Sequence, residues 1–382
     1  MRNTADAVIV GGGIIGAAVA FYLAREKFGN ITLVEKEPLL GAGATSKAAG
    51  GIRAQFSAED NIRMSMLSEE LFVRFKEDTG SEALFDQVGY LFLLKDDDDV
   101  VSFKAALELQ RSIGLNVELL TPGEIPKYAP HVSLDGVQCA TFCHQDGLGD
   151  PHEFLSGYDH ACRKLGVAIE LDAPVTGIDT VGERVTTVHT SRGSISTPLV
   201  INCAGPYAKV IGKMVGADVK VEPVKRQIVT TGELDFVKPF FPMVVDVRSG
   251  LYTHKESKGM LLGWADRSVE PSFDVSIDPD YTDAILEKAL DLIPQLAEAE
   301  VANEWAGLYE VTPDHREIIG WEQSVEGMFH VTGFSGHGFM HAPAAGLITA
   351  EILTGKEPSV DISGYAADRF ADGKLVEETN VI

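Results

Sequence analysis

Gly11, Gly13 and Gly16 form a Gly-x-Gly-x-x-Gly pattern between the apolar run Val8-Ile9-Val10 and an alanine-rich segment that continues past Tyr22. That order suits a strand, a tight turn and the first turn of a helix, whose free N–H groups can hold a pyrophosphate. Gly11 permits the turn, Gly13 keeps side chains away from the phosphates, and Gly16 lets helix and strand close together. The next apolar run, Ile31 to Val34, ends in Glu35, about 20 residues beyond the last glycine, where an acid can grip ribose hydroxyls. A dinucleotide site follows from these residues. An acid there disfavours the 2′-phosphate of NADP, and the choice between NAD and FAD stays open at this point.

Three further groups could act beside such a cofactor. Residues 41–51 are small, polar and glycine-rich, so their backbone can approach a ligand closely; a flexible linker is the plainer alternative. The loop Gly333-Phe334-Ser335-Gly336-His337-Gly338 precedes a second helical segment and offers another helix N-terminus to a ligand. Cys139, Cys143 and His144 could be imagined as a metal corner, but no second ligand cluster accompanies them and the surrounding residues read as a strand, so no metal is expected.

These groups need a scaffold. Apolar periodicity gives helices over 58–79, 101–114, 150–165, 281–293 and 339–353, with Asp96 to Asp99 as a charged turn and cap. Strands are expected at 90–94, 136–143, 167–171, 176–181, 183–189 and 199–203, and then at 227–231, 243–247, 251–254, 260–263, 303–309 and 328–331. The run 199–206 is a strand ending in small residues, which returns the chain to the nucleotide side and makes Val175, Ala204 and Gly205 neighbours of the cofactor.

At 382 residues the chain can bury a large core and is expected to fold as two domains. A net charge of −25 argues against nucleic acid and anionic membrane surfaces as partners. No apolar run approaches the length of a membrane span, the first strand comes too early for a signal peptide, and four cysteines suggest no disulfide framework. A reducing cytoplasm is the expected compartment.

With both glycine loops and residues 41–51 in hand, the chain resembles the FAD-dependent amine oxidoreductases. That family includes glycine oxidase, sarcosine oxidases, dimethylglycine dehydrogenase and dye-linked proline dehydrogenase. The resemblance spans nearly the whole chain and is most specific at Ala306-Gly307-Leu308-Tyr309-Glu310-Val311-Thr312-Pro313-Asp314 and at Gly333 to Met340. It selects FAD over NAD. It implies an α/β (α+β) fold: a Rossmann-like FAD domain from residues 1–88, 145–218 and 305–382, and a substrate domain from 89–144 and 219–304 on a mixed, mostly antiparallel sheet. The implied FAD contacts are Gly11, Gly13, Ile15, Gly16, Glu35, Lys36, Thr45, Ser46, Ala49, Gly50, Val175, Ala204, Gly205, Gly333, Ser335, Gly336, His337, Gly338, Phe339 and Met340.

The resemblance implies oxidation of an amine α to a carboxylate by hydride transfer, giving an imine that water hydrolyses. Such chemistry needs orientation and a neutral amine more than a strong base. Arg53 matches a substrate-binding arginine, Tyr252 a tyrosine over the substrate pocket, and His254 would share the face of Tyr252. His337 acts through its imidazole or only through its backbone. Some positions depart from the family. Met340 replaces a carboxylate-binding lysine, Tyr309 an arginine of glycine oxidase, and Gly307 the cysteine that attaches flavin, so FAD is expected to be non-covalent. Leu261 stands near the position of an oxygen-activating lysine, with Lys255 and Lys258 close by. A less cationic, Met-lined pocket then favours a sarcosine-, dimethylglycine- or proline-like substrate and electron transfer to a carrier other than oxygen. Two alternatives remain. One is a β subunit that works only in a hetero-oligomer, with FMN at the interface and His152 as a flavin-linked residue. The other is a non-catalytic flavoprotein assembly factor.

Overall fold

A computed structural model describes residues 2–371 and 375–380. Its first layer is a six-stranded sheet in the spatial order Ile318–Trp321, Met328–Thr332, Val200–Asn202, Ala7–Val10, Ile31–Val34, Ala168–Glu170. Every neighbouring pair is parallel except the one made by the edge strand Ile318–Trp321. Strands covered on both faces have no reason to alternate, and Ala7–Val10 and Ile31–Val34 are buried at every residue.

The helix Ile14–Arg25 is buried continuously from Ile14 to Leu23. It packs against Gly338–Leu353 and Pro151–Lys164. The backbone and Cβ of Ala18 lie 2.8–2.9 Å from where a Cβ on Gly346 would stand, so only glycine permits this crossing.

The second layer is an eight-stranded sheet in the order Val301–Val311, Glu222–Thr231, Gly259–Trp264, Leu251–Glu256, Met243–Asp246, Tyr90–Leu94, Cys139–Cys143, Val117–Leu120. Only the pair Met243–Asp246 and Tyr90–Leu94 is parallel, so the sheet is mixed and mostly antiparallel, as expected. The helix Pro279–Leu292 covers part of it and shares a core with Leu91, Val229 and Leu262. Strand Val301–Val311 runs the full length of Glu222–Thr231, so the chain crosses to the parallel sheet only after Val311. A small sheet of Gly51–Ile52, Gly147–Gly149 and Phe85–Asp86 fixes the path into Arg53.

Two helices differ from expectation. The segment expected as one helix over 58–79 is Glu59–Val73 followed by Phe75–Thr79, and Gly80 closes it at φ +81°. Asp97–Ile113 starts four residues before 101, because its acidic run forms the first turn, where negative charge suits the helix dipole. Among the described residues no helix is long and apolar enough to cross a membrane, and no group of three or more His, Cys, Asp or Glu could hold a metal ion. Cys139 and Cys143 are buried within a strand, and His144 pairs with Glu118 at 3.2 Å.

Candidate active site

The nucleotide turn is built as its glycines require. Gly11 has φ +111°, and a Cβ there would meet the Cys203 carbonyl oxygen at 2.3 Å. A Cβ on Gly16 would stand 2.0 Å from the Gly11 carbonyl oxygen. Gly13 is the N-cap of Ile14–Arg25 and supplies no side-chain cap. Thr45 fills that role: its Oγ1 accepts from Ile14 N at 3.0 Å. The Glu35 carboxylate accepts from Gly12 N at 2.6 Å and from Glu37 N at 2.9 Å, which fixes it on the wall of the cleft. The turn therefore offers a cradle that any side chain would fill, a helix N-terminus and a placed acid. These are the features a dinucleotide needs.

From there a cleft of about 340 Å³ runs between the two large sheets. Its parallel-sheet side includes Gly13, Ile15, Glu35, Lys36, Thr45, Ala49, Ala204, Gly205, Gly336, Gly338 and Phe339. Its opposite side is one face of the eight-stranded sheet, with Arg226, Ile228, Tyr252, Gly307 and Tyr309. Cross-strand register explains that face. Arg226 stands opposite Gly307, and Ile228 and Tyr252 each stand opposite Gly263. The Tyr252 ring lies across Gly263, within 2.1–2.4 Å of where a Cβ would sit. Gly307 likewise admits Lys47, whose Cβ stands 2.6 Å from a Cβ built there. Two bonds hold residues 44–50 against this sheet: Trp305 Nε1 donates to Lys47 O at 3.2 Å, and His254 Nε2 lies 2.9 Å from Ala49 O.

Behind Tyr309, and outside the cleft lining, stand the buried Arg53, His337 and Tyr90. Arg53 is 1% exposed, yet it makes no ion pair with any described carboxylate. Its Nη1 donates to Gln55 O at 2.9 Å and its Nη2 to Asn380 O at 2.5 Å. Its guanidinium carbon lies 3.9 Å from the Phe56 ring centroid and 5.4 Å from that of Phe92. Burial holds its pKa below the usual arginine range, and the neighbouring Tyr90 opposes that shift. Behind it, Asp146 accepts from Ala54 N at 3.1 Å and from Gln55 Nε2 at 2.8 Å, beside Glu69, whose pKa burial and then Asp146 push well up.

His337 packs edge-on against Phe56 at 4.8 Å, and neither ring nitrogen has a partner among the described residues. Burial and then the nearby Arg53 push its pKa well down, so the ring is neutral. The phenols of Tyr252 and Tyr309 adjoin each other, and burial raises the Tyr252 pKa. Glu310 closes the turn: its carboxylate accepts from Gly333 N at 2.9 Å and Thr332 Oγ1 at 2.7 Å, and burial pushes its pKa up to about 7. A dinucleotide cradle and its aromatic-walled cleft thus lie beside a buried cation that is unpaired among the described residues.

Several expected contacts stand elsewhere. Gly11 and Gly16 shape the turn from behind. Ser46 bonds back to Ala42 O and Gly43 O, and Gly50 takes φ +77° against Gly149. Val175 begins its strand outside the cleft lining. Gly333 and Ser335 brace the Glu310 turn, with Ser335 Oγ accepting from Thr312 N at 3.2 Å. Lys36 does line the cleft, where it lies over the Tyr207 ring at 4.3 Å and pairs with Glu37.

Met340 is no pocket residue. It packs into the apolar core of the parallel layer, since successive residues of a helix point to different sides. His254 faces Ala49 O and Lys255 O and joins the layers, outside the cleft lining. Leu261 is buried in the core opposite His254, and His152 is an exposed first-turn residue. The pocket expected to be poor in cations holds Lys47 and Arg226, neither in an ion pair among the described residues. Lys47 lay hidden in a segment read as backbone. Arg226 follows Lys225 in a strand where alternation alone does not say which of the two faces the cleft.

A Ser65–His341–Glu317 chain, with contacts of 2.7 and 2.8 Å, resembles a hydrolytic triad but is buried at all three residues. It lines none of the described cavities and ties helices together.

Comparison with known proteins agrees with this geometry. The model of the FAD dependent oxidoreductase (DAO) family matches residues 6–352. Rat (Rattus norvegicus) mitochondrial dimethylglycine dehydrogenase is 28% identical over 99% of this chain and 46% of its own length. Human (Homo sapiens) mitochondrial sarcosine dehydrogenase is 26% identical over 97% of the chain and 42% of its own length. The chain thus spans about half the length of these two relatives. The crystal structure of L-proline dehydrogenase from P. horikoshii superposes with a TM-score of 0.92 at 31% identity, covering 98% of this chain and 100% of that one. Glycine oxidase from Geobacillus kaustophilus gives 0.86 at 25% identity, covering 96% and 99%.

Proposed function

The chain belongs to the FAD dependent oxidoreductase family, and we propose that it oxidises the C–N bond of a secondary or N-methylated amino acid, of the sarcosine, dimethylglycine or proline kind. The observation that carries this reading is Arg53: a buried guanidinium with two carbonyl partners and, among the described residues, no carboxylate. A buried charge left without a counterion is costly, so the site is arranged for an anion brought by the substrate. The names of the dimethylglycine, sarcosine and proline dehydrogenases supply the amine.

Bound FAD would supply the acceptor for a hydride, which carries two electrons. Glu35, Gly13 and the N-terminus of Ile14–Arg25 would hold its ribose and phosphates. The N-terminus of Gly338–Leu353 would face the part that gains negative charge, joined on the cleft wall by Arg226 and Lys47. Gly307 offers no thiol for attachment, which fits a non-covalent cofactor.

Arg53 would grip the substrate carboxylate with its remaining N–H donors. Neutral His337, with both nitrogens free, can accept or donate one hydrogen bond to the amine without charging it. Tyr252 and Tyr309 wall the reacting carbon from water. The substrate would lose a hydride from carbon to give an iminium ion, which loses its N–H proton to become an imine where the amine is secondary, and water then hydrolyses it.

The test is anaerobic bleaching of the yellow protein with sarcosine, dimethylglycine, L-proline, glycine and D-alanine, followed by air. Bleaching by a secondary or N-methylated amino acid supports the reading, and the rate of recovery in air separates oxidase from dehydrogenase. A flavin that none of them bleaches sinks the reading for the isolated chain and favours the partner-dependent or non-catalytic form.

A further inference from the structure

The helix Glu59–Val73 starts without a cap of its own, because its N-cap residue is Ala58. Alanine offers no side-chain acceptor to the first N–H groups of a helix. The acceptor arrives from more than 300 residues away in sequence, on the segment 375–380. Glu378 is fully buried and its carboxylate takes five hydrogen bonds. Oε1 accepts from Ser57 N at 2.8 Å, Ser57 Oγ at 2.6 Å and Asn380 N at 2.9 Å. Oε2 accepts from Ala58 N at 3.0 Å and Asn61 Nδ2 at 3.1 Å. Further bonds fasten the same strap: Glu378 N to Asp314 O at 3.0 Å, and Thr379 N to Ser57 Oγ at 3.0 Å.

The strap ends on Arg53. Asn380 O accepts from Arg53 Nη2, and Asn380 Nδ2 donates to Gln55 O at 3.4 Å, the same carbonyl that receives Arg53 Nη1. Asn380 and Thr379 also wall a second cavity of about 540 Å³, together with Phe92, whose ring touches the guanidinium. The strap therefore stands between that cavity and Arg53. A guanidinium has several rotatable bonds and five donors, so its fork points at a ligand only when other acceptors fix its plane. Here those acceptors are Gln55 O and Asn380 O, and Glu378 sets both, one through the helix cap and one through the strap.

We propose that Glu378 is a positioning residue for substrate binding, which anchors the strap 375–380 so that Asn380 O and Gln55 O aim the Arg53 guanidinium at a carboxylate. The inference rests on the proposed role of Arg53.

Two measurements test it on the FAD-loaded protein. In the first, phenylglyoxal modifies accessible arginines and mass spectrometry follows Arg53. The wild type should protect Arg53, and Glu378→Ala should expose it with at least a tenfold faster reaction. In the second, anaerobic flavin reduction is followed against the concentration of the amino acid that bleaches the wild type. Glu378→Ala should raise the apparent Kd at least tenfold and change the limiting reduction rate by less than twofold. Glu378→Gln, which keeps the shape and one strong acceptor, should restore most of the affinity, and it remains informative should the alanine variant fail to fold.

Protection of Arg53 unchanged in Glu378→Ala overturns the inference. So does an unchanged Kd, or a loss of rate and affinity together, which marks a purely structural cap. A wild type that no amino acid reduces refutes the proposed function instead, and the phenylglyoxal result still decides whether Glu378 holds Arg53.

Discussion

Replacing Arg53 by methionine should separate binding from stability. Methionine roughly matches the aliphatic stem of arginine and can stay between Phe56 and Phe92. The variant loses the charge and the fork. A bidentate guanidinium–carboxylate contact is two charge-assisted hydrogen bonds, each worth about 1.5–3 kcal/mol. Affinity for an amino acid should therefore fall by about 3–6 kcal/mol, or roughly 150- to 20,000-fold in Kd. The folded protein without substrate gains in one respect and loses in another. Removing an unpaired buried cation relieves a desolvation cost of several kcal/mol. Leaving Asn380 O without a donor, and Gln55 O with only the long bond from Asn380 Nδ2, costs about 1–3 kcal/mol each. These terms nearly offset, so stability should stay within about 2 kcal/mol of wild type. The assay is anaerobic stopped-flow reduction over substrate concentration, paired with a urea melt followed by flavin fluorescence. A Kd that rises less than fivefold while stability falls by more than about 4 kcal/mol would refute the reasoning, because Arg53 would then be a structural residue.

Three other perturbations have defined outcomes. Gly11→Ala forces a side chain into φ +111° and within 2.3 Å of Cys203 O, so the purified variant should retain less than a tenth of its flavin by absorbance at equal protein. Glu310 has a folded pKa near 7 against 4.5 unfolded, so the native state holds the proton through that window and stability falls as pH rises across it, by at most about 3 kcal/mol. Glu310→Gln should remove that decline, so the difference between variant and wild-type urea melts should grow from pH 5 to pH 7 and then level; a constant difference means that Glu310 is ordinary. Arg226→Met takes a cation from the cleft wall and should lower the two-electron flavin potential by on the order of 30 mV, about 1.4 kcal/mol, in a dye-equilibration titration. An unchanged potential would place Arg226 away from the charge that develops.

The parallel layer was legible because its signals are local. Gly11, Gly13 and Gly16 serve one turn, and Glu35 follows on the next strand, so spacing along the chain nearly equals arrangement in space. The sheet face was less legible. Which of Lys225 and Arg226 faces the cleft depends on a register set by Gly307, some 80 residues later. Lys47 was hidden because residues 41–51 look like pure backbone, and only the absent side chain of Gly307 shows where Lys47 goes. Met340 stood in a motif that does touch the cleft, but helical rotation gives the cleft to Phe339 and the core to Met340. The long-range partners of Arg53 were the least legible. No pattern in the sequence links Glu378 to Ala58, since the cap and the helix it serves are separated by nearly the whole chain.

The charges of the site are best understood against those of the whole chain. With 57 acidic residues against 32 lysines and arginines, a cation has more than enough carboxylates to choose from. Lys95, Lys209, Arg184 and Arg369 all find one. Arg53, Lys47 and Arg226 do not, among the described residues, although Glu35, Glu37 and Glu310 share the cleft with two of them. Glu35 and Glu310 are instead occupied by backbone N–H groups, at Gly12 and Glu37 and at Gly333. Asp146 and Glu378, the acids near Arg53, are likewise saturated by Ala54, Gln55, Ser57 and Ala58. A carboxylate whose lone pairs are filled by fixed donors offers little to a nearby cation. The fold thus keeps its acids from neutralising these three cations. Under the proposed function their counterions would be a cofactor in the cleft and a substrate carboxylate at Arg53.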